Sequence, residues 1–357
     1  MKSLFLAESP LQLISAAAAR KRFGESCDDV LVIKYGDSSR SVNNQHLRQV
    51  EKLFSDVKII RLYSSKNRVL TSLKEMFLYI RMLSIRGVPN IFIGEFRSVW
   101  MHRCLEILNS KHAYLLDDGI IIVDIFNQYL SKGIYKPNFK ISRYNVLNLL
   151  YGFLCFATGS AKGVPYRLTM CTAFPFEKLG CSEQLFIKND YTSSLFSGEF
   201  KDDDSVFYYF GTKYSEAGYF SMEVEILFLN RVFDYLRKKG FKIVYVAHRD
   251  DAKNKLDLIE SVGVEVQRFD CPAELHFFRK GSAPKYIGGA FSTAVINIKL
   301  IFNSEFVVFF KLPISDVSRN KIDQVIDVYD FYNRIGFDVI DLWEDDPVKV
   351  REGLNNR

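Results

Sequence analysis

The chain has 357 residues, with 48 Lys+Arg against 42 Asp+Glu, and hydrophobic residues make up 48% of it. Its length exceeds one ordinary domain, and its composition is typical of a folded globular protein rather than a disordered one. A net charge of +6 is far below that of a dedicated nucleic-acid-binding protein, so we expect no nucleic-acid partner. The charge does favour anionic ligands or an anionic membrane surface.

The beginning of the sequence and its cysteines bear on the cellular compartment. Glu8 interrupts the first apolar stretch, so we expect no secretory signal peptide. No apolar window reaches the roughly 18 residues of a membrane span. The six cysteines are scattered without a CxxC pair, as in proteins of the reducing cytoplasm. We expect a cytoplasmic protein, with peripheral contact at an anionic inner membrane left open.

The first third of the chain alternates short β-branched and aromatic runs with stretches of helical period. The predicted strands are Leu4–Ala7, Val30–Tyr35, Val57–Tyr63, Asn90–Phe96 and His112–Leu116. The predicted helices are Leu11–Arg22, Asn43–Phe54, Val69–Arg86 and Val99–Asn109. This alternation predicts parallel strands with covering helices.

Residues 120–200 interrupt the pattern. They contain a helix-like segment at 143–158 and a strand at Tyr166–Phe174, and the polar run Gly198–Ser205 then suggests a linker. Alternation resumes with predicted strands at Val206–Phe210, Lys242–Ala247, Val264–Phe269, Lys285–Ile287 and Phe306–Lys311. The predicted helices are Met222–Lys239, Lys253–Val262, Ala273–Arg279 and Ala294–Phe302. The sequence thus predicts two Rossmann-like α/β domains facing a cleft, at residues 1–190 and 206–357, joined by a linker at 191–205.

Candidate site residues follow the strands, because ligands of open parallel sheets bind at the carboxyl ends of the strands. The polar or glycine-containing strand ends are Glu8-Ser9-Pro10, Gly94-Glu95-Phe96, Asp117-Asp118-Gly119, Gly211-Thr212, His248-Arg249-Asp250 and Gly288–Thr293.

The adjacent carboxylates of Asp117 and Asp118 repel, so one of them takes up a proton more readily than a free Asp, which suits a general base. Gly119 allows the sharp turn that would direct the second carboxylate into the cleft. An ordinary Asp-Gly surface turn is the alternative.

His248 ends a predicted strand, where it could donate a hydrogen bond or a proton to a phosphate oxygen; a core-edge histidine is an equal alternative. Ser292 and Thr293 precede a helix, so they either cap it or form a phosphate cradle with backbone N–H groups. Neither a GxGxxG nor a Walker motif is present. An acidic residue in the first half and a histidine with hydroxyls in the second indicate a base opposite a nucleotide-phosphate site.

These motifs, in this order over most of the chain, resemble bacterial sialyltransferases of the GT-B architecture. The nearest resemblance is to glycosyltransferase family 52, the lipooligosaccharide sialyltransferases, to which the capsular polysialyltransferases are related. The residues that carry it are Glu8–Gln12, Asp117–Gly119, His248, Pro272–Glu274 and Ser292-Thr293. The resemblance implies an acceptor-side domain followed by a CMP-binding domain.

The resemblance also implies residue roles. Asp118 would be the general base, supported by Asp117 and Gly119, and His248 would serve the CMP phosphate as hydrogen-bond donor or general acid. The remaining residues would hold the donor phosphate (Ser292, Thr293, Arg249), contact the nucleotide (Glu274, Gly211, Thr212) or line the acceptor side of the cleft (Ser9, Gln12, Glu95). The family has proline where this chain has Arg249, which leaves the donor nucleotide open.

The implied reaction is inverting transfer of sialic acid, or a related nonulosonic acid, from its CMP donor to a hydroxyl of a bacterial surface glycan or glycolipid. No cofactor and no metal are expected, because hydrogen bonds can stabilise the departing CMP phosphate. The one DxD match, Asp202–Asp204, lies in the polar run. Two alternatives remain: a GT-B transferase using CMP-Kdo, UDP- or GDP-sugars, and a non-catalytic two-lobed binding protein. The sequence also leaves a homodimer open.

Overall fold

The computed structural model describes residues 2–139, 146–160, 166–179, 182, 184–191 and 200–343. The chain divides into two compact units. Unit 1 comprises Met1–Gly198 with Asp270–Leu275, and unit 2 comprises Glu199–Phe269 with His276–Arg357. Each unit is built on one parallel sheet.

The sheet of unit 1 has the order β3-β2-β1-β4-β5-β6-β7, and all its pairings are parallel. Its strands are β1 (Ser3–Ala7), β2 (Val30–Tyr35), β3 (Lys58–Tyr63), β4 (Asn90–Ile93), β5 (His112–Leu116), β6 (Arg167–Thr172) and β7 (Phe186–Lys188). The helices of this unit are α1 (Pro10–Arg22), α2 (Ser41–Val50), α3 (Arg68–Met82), α4 (Val99–Ile107), α5 (Ile121–Gln128) and α6 (Val146–Ala157).

The sheet of unit 2 has the order β10-β9-β8-β11-β12-β13 and is also parallel throughout. Its strands are β8 (Lys201–Phe210), β9 (Lys242–Val246), β10 (Glu265–Gln267), β11 (Ser282–Gly289), β12 (Phe306–Phe310) and β13 (Asp338–Ile340). Its helices are α7 (Met222–Lys238), α8 (Lys253–Ser261), α9 (Ala273–Lys280), α10 (Thr293–Phe302) and α11 (Arg319–Ile335). The predicted alternation of strands and helices is confirmed in both halves.

Three sequence expectations need correction. The polar run proposed as the core of the linker belongs from Lys201 onward to β8, where Lys201–Asp203 pair with Ser282–Pro284 of β11. Backbone hydrogen bonds form a ladder whatever the side chains, so acidic residues do not prevent it. The segment at 120–200 is less irregular than expected, since it contains α5 and β7, and beyond residue 311 the chain forms α11 and β13.

The start of α1 shows how the sequence determines local structure. The Ser9 hydroxyl accepts from the Gln12 N–H (3.2 Å), and the Gln12 side-chain oxygen accepts from the Ser9 N–H (3.2 Å). This reciprocal capping box, with Pro10 in the first turn, begins the helix directly after β1. Two residues predicted to line the site are therefore fixed by helix capping.

The Phe and Tyr side chains lie largely inside the two units. The largest fully buried side chains are all Tyr or Phe. In unit 1, Phe92 stacks on Phe5 with ring centroids 4.7 Å apart and on Tyr114 at 4.8 Å. In unit 2, Phe309 stacks on Tyr332 at 3.8 Å. Parallel strands are covered on both faces, so large apolar rings fill the layers between sheet and helices. Among the described helices, none is long and apolar enough to cross a bilayer.

Candidate active site

The strand order of unit 1 reverses between β1 and β4, and this is the point at which open α/β sheets bind ligands. Ser9 and Gln12 follow β1, Glu95 follows β4, and Asp118 follows the next strand, β5. The structure brings these four predicted residues together around the carboxyl group of Asp118. The sequence placed them at separate strand ends, and the parallel sheet makes those ends neighbours.

Asp118 is half-buried and accepts hydrogen bonds from two sides. The Ser9 hydroxyl donates to its Oδ1 at 2.9 Å, and the side chains of Gln12 and Glu95 also hydrogen-bond to it. The Gln12 oxygen already accepts from the N–H groups of Glu8 (2.7 Å) and Ser9 (3.2 Å), so its amide N–H is the group that faces Asp118. The carboxyl group of Asp118 is therefore held by its neighbours before any ligand binds.

The carboxyl groups of Glu95 and Asp118 share a proton. Burial raises the pKa of Asp118 well above its usual range, and the negative charge of Glu95 raises it further. Burial also acts on Glu95, but hydrogen bonds from Asp118 and from the Arg97 N–H (2.8 Å) outweigh it and lower the pKa of Glu95. The shared proton is therefore held more tightly by Asp118 than by Glu95.

Sequence reasoning missed two residues that support this pair. Arg97 contacts Glu95 through both its backbone N–H and its guanidinium (3.2 Å), and the Trp100 indole donates to Glu8 at 2.8 Å. Burial raises the pKa of Glu8, and the negative charge of Glu95 raises it further. The position of Arg97, two residues after Glu95, was a signal available in the sequence. The sequence gave no such signal for Trp100.

Gly94 makes the close contact between β4 and Gln12 possible. A Cβ at this position would overlap the side-chain amide of Gln12. Because that amide also caps α1 and hydrogen-bonds to Asp118, it has no room to move aside. A side chain at position 94 would therefore disturb the carboxyl pair.

Asp117 points away from this group of residues into the core and is completely buried. Its Oδ2 accepts from the Ala173 N–H (2.8 Å) and the Tyr191 hydroxyl (2.6 Å), and its own N–H donates to the Ser15 hydroxyl (3.2 Å). These contacts join the end of β5 to α1 and to the segment after β6. Gly119 follows with φ of +90°, which confirms the expected sharp turn. The geometry thus gives Asp117 a structural position and leaves Asp118 for the ligand side.

In unit 2 the strand order reverses between β8 and β11. Gly211 and Thr212 follow β8, and Ser292 and Thr293 begin α10 after β11. The Thr212 hydroxyl donates to the Phe291 carbonyl at 3.4 Å, so the two strand ends are in contact. Ser292 is the N-cap residue in extended conformation, but its side chain makes no capping hydrogen bond. Hydroxyls and backbone N–H groups at a helix start are a suitable anion site.

His248 follows the neighbouring strand β9 and is held in one tautomer. Its Nδ1 accepts from the Asp250 N–H at 3.1 Å, so Nε2 carries the proton. Burial, with the nearby Arg249 charge, lowers the pKa of His248 to about 4. The imidazole is therefore neutral at pH 7 and acts as a hydrogen-bond donor through Nε2.

A buried ion cluster that sequence reasoning missed positions the turn at His248. The Lys255 ammonium is fully buried, contacts Asp251 (2.9 Å) and Glu225, and donates to the Thr212 carbonyl (3.0 Å). Asp251 in turn accepts from the His248 N–H at 2.8 Å. One lysine thus connects the loops after β8 and β9. The spacing of Asp251 and Lys255, four residues apart at the start of α8, was the available signal.

Gly211 and Glu274 complete the predicted nucleotide contacts. A Cβ at Gly211 would overlap the Tyr245 hydroxyl, so this position requires glycine. Glu274 is buried in the first turn of α9, in the short segment that groups with unit 1. The structure therefore collects Gly211, Thr212 and His248 at one edge of the second sheet.

We predict that Asp117→Asn removes a pH-dependent term from the stability of the protein. Burial raises the pKa of Asp117 to about 6 from 3.8, so the native state binds a proton more tightly than the unfolded state. The tighter proton binding stabilises the native state at pH 4. Up to about 3 kcal/mol of the free energy of unfolding is lost as pH rises through 6. Asparagine keeps an oxygen to accept from Ala173 and Tyr191 without the charge. Urea unfolding from pH 4 to 7 should show the variant gaining stability relative to the wild type; parallel curves would contradict the prediction.

No protein-family model and no curated protein sequence matches the chain. Solved structures do match. A Vibrionaceae Photobacterium 2,6-sialyltransferase in complex with CMP and lactose has a TM-score of 0.51 at 11% identity, covering 96% of this chain and 78% of its own. The GT-B domain of a Photobacterium damselae sialyltransferase has a TM-score of 0.48 at 11% identity, covering 95% and 99%. A UDP-GlcNAc 2-epimerase from Methanocaldococcus jannaschii has a TM-score of 0.48 at 9% identity, covering 100% of this chain and 93% of its own. The chain has the two-domain α/β GT-B fold that the sequence predicted.

Proposed function

We propose that this protein is an inverting glycosyltransferase that moves sialic acid, or a related nonulosonic acid, from its CMP donor to a hydroxyl of a surface glycan. The observation that carries the proposal is the carboxyl pair of Glu95 and Asp118 at the reversal point of the first sheet. A protein that only binds sugar nucleotides does not need a proton-accepting pair there. The Photobacterium 2,6-sialyltransferase bound to CMP and lactose supports the choice of donor and acceptor class by its fold.

Unit 1 would supply the base. In the ionised form, the Asp118 carboxylate accepts the proton of the acceptor hydroxyl while that oxygen attacks the anomeric carbon of the donor. The Ser9 hydroxyl and the Gln12 amide keep the carboxylate oriented. Glu95 raises the pKa of Asp118 and so makes it a stronger base than a solvated aspartate. Arg97 keeps the charge on Glu95.

Unit 2 would bind the nucleotide phosphate. The Nε2–H of neutral His248 donates to a phosphate oxygen, and the hydroxyls of Thr212, Ser292 and Thr293 with the start of α10 supply further donors. Charge builds on the phosphate as the bond to the sugar breaks, and these donors stabilise it. The proposal therefore includes departure of CMP without a metal ion.

A second candidate is a GT-B transferase that uses a diphosphate donor such as a UDP- or GDP-sugar. The observation that favours it is Arg249, a half-buried cation directly after His248. An arginine there could neutralise a second phosphate group.

Nucleotide binding separates the two candidates. We expect CMP to raise the melting temperature more than UDP or GDP at equal concentrations, because the ligand with the lowest Kd stabilises the native state most. Transfer from CMP-sialic acid to a terminal galactoside should continue in EDTA. Equal or greater stabilisation by UDP would overturn the choice of donor.

Substitutions test the two assigned groups. Asp118→Asn should lower the transfer rate by about 10²–10⁴-fold, the usual contribution of a general base, with CMP affinity unchanged. His248→Ala should weaken both CMP binding and transfer, whereas His248→Gln, which keeps an N–H donor, should retain part of both. Asp257→Asn, at an exposed position on α8, is the matched acidic control and should behave as wild type. Full activity of Asp118→Asn would remove it from the base role.

The acid limb of the pH profile tests the shared proton. Glu95→Gln removes the negative charge that raises the pKa of Asp118, so Asp118 ionises at lower pH. The acid limb of kcat/KM should move to lower pH, and kcat at pH 8 should fall because the base is weaker. An unchanged acid limb in an active variant would show that Glu95 does not act on the base.

A further inference from the structure

Two neighbouring helices of unit 1 present a large apolar surface to solvent. Nine large hydrophobic side chains of α3 and α6 are at least 41% exposed, and we call them the α3/α6 face: Val69, Leu70, Leu73, Phe77, Ile80, Leu149, Leu150, Phe153 and Phe156. Their spacing places them on one side of each helix. The two helices are in contact with each other. The exposed side chains therefore lie on adjoining elements rather than singly over the surface.

These side chains are not needed to hold the helices in place. α3 packs inward through Leu78, Tyr79 and Met82, which are buried. α6 packs inward through Tyr151 and Cys155, and the ring of Tyr151 lies 5.6 Å from that of Tyr79. Each helix is thus apolar on its inner side and apolar again on its outer side. A helix of an isolated soluble domain has a polar outer side.

The size of the α3/α6 face exceeds that of ordinary surface hydrophobics. Phe77 is 69% exposed, Phe153 is 70% exposed and Phe156 is 85% exposed. With about 200 Å² for a phenylalanine side chain, these three alone expose roughly 450 Å². The six aliphatic side chains add to this. Monomeric soluble proteins rarely leave a contiguous apolar patch of that size without a partner.

The charge around the face indicates what that partner is. The segments 58–86 and 132–156, which contain α3 and α6, hold eleven Lys and Arg and a single acidic residue, Glu75. Glu75 is half-buried in an ion pair with Lys34 at 2.8 Å. The formal net charge of these two segments is +10, whereas that of the whole chain is +6. The rest of the protein is therefore slightly acidic. On α3 itself the cations are Arg68, Lys74 and Arg81, and both arginines are exposed beside the apolar side chains.

A second copy of the chain fits this combination poorly, because an interface between two identical faces would bring two strongly basic segments together. A lipid bilayer with anionic headgroups fits both features. Its acyl region takes up Phe and Leu side chains, and its surface attracts Lys and Arg. α3 has 15 residues and α6 has 12, which suits helices lying in the interface rather than crossing it.

We propose that the α3/α6 face docks on an anionic bilayer surface, with Phe77, Phe153 and Phe156 inserted among the lipids and the surrounding Lys and Arg at the headgroups. This site is distinct from the carboxyl pair, and the proposal does not depend on the proposed donor or reaction. It concerns where the protein works, not what it transfers.

Vesicle sedimentation of the full chain, without any nucleotide sugar, tests the proposal. We expect the protein to bind vesicles of phosphatidylcholine with about 30% phosphatidylglycerol, to bind pure phosphatidylcholine vesicles weakly, and to be released in part by high salt. Phe153→Asn with Phe156→Asn should reduce binding by about tenfold or more, since it removes two inserted side chains. Arg68→Gln with Arg81→Gln should reduce binding to the anionic vesicles alone.

Leu227→Asn with Leu258→Asn is the matched control, because these leucines are 49% and 44% exposed on unit 2, and it should bind as the wild type does. Thermal unfolding of every variant verifies folding, and transfer to a soluble acceptor should be unchanged. Failure of the wild type to bind anionic vesicles would overturn the proposal. Unaltered binding by the double Phe variant would do so as well. A dimer in analytical ultracentrifugation that becomes a monomer in that variant, without vesicle binding, would assign the face to a second copy instead.

Discussion

The hydrogen bonds of the buried Asp117 carboxyl group are the interaction on which the arrangement of the strand ends in unit 1 depends. Its Oδ2 accepts from Ala173 and Tyr191, and the backbone N–H of Asp117 donates to Ser15, so this single residue joins a strand end to α1 and to the chain beyond β6. Burying a carboxyl group is costly unless it is hydrogen-bonded, and burial raises the pKa of Asp117 to about 6 although its Oδ2 accepts two hydrogen bonds. Because Asp117 is fixed in the core, the next residue is directed to the opposite side, where Ser9 and Glu95 receive it. Fold and chemistry are thus divided between two adjacent aspartates.

Unit 2 uses a different device for a similar purpose. The buried Lys255 ammonium contacts Asp251 and Glu225 and also donates to the Thr212 carbonyl, so it joins two loops that come from different strands. A buried cluster of this kind adds little net stability, because desolvation offsets much of the attraction. Its effect here is on position, because it fixes the His248 turn and the Thr212 loop relative to each other. Preorganised donors of this kind do not have to be reoriented when charge develops.

The sequence was sufficient to predict the fold class, because hydrophobic periodicity and the residues at strand ends are local properties. Alternating strands and helices predicted both sheets, and reading the residue after each strand found Asp118, Glu95 and His248 without knowledge of their contacts. Sequence reasoning failed where long-range strand pairing overrides the local amino-acid composition. The acidic run after Lys201 was interpreted as a linker, but it joins a ladder with β11. The Lys255 cluster and the Asp117 network were missed because Glu225 and Thr212 in the one, and Ala173 and Tyr191 in the other, come from distant parts of the sequence and are brought in only by folding.

The close contacts at Gly94 and Gly211 limit which residues these two positions can accept. Each glycine lies at the carboxyl end of a strand beside a reversal point, and any side chain there would collide with Gln12 or with the Tyr245 hydroxyl. Neither strand end therefore accepts a bulkier residue by itself. A larger side chain at either glycine would require simultaneous replacement of the side chain that it contacts.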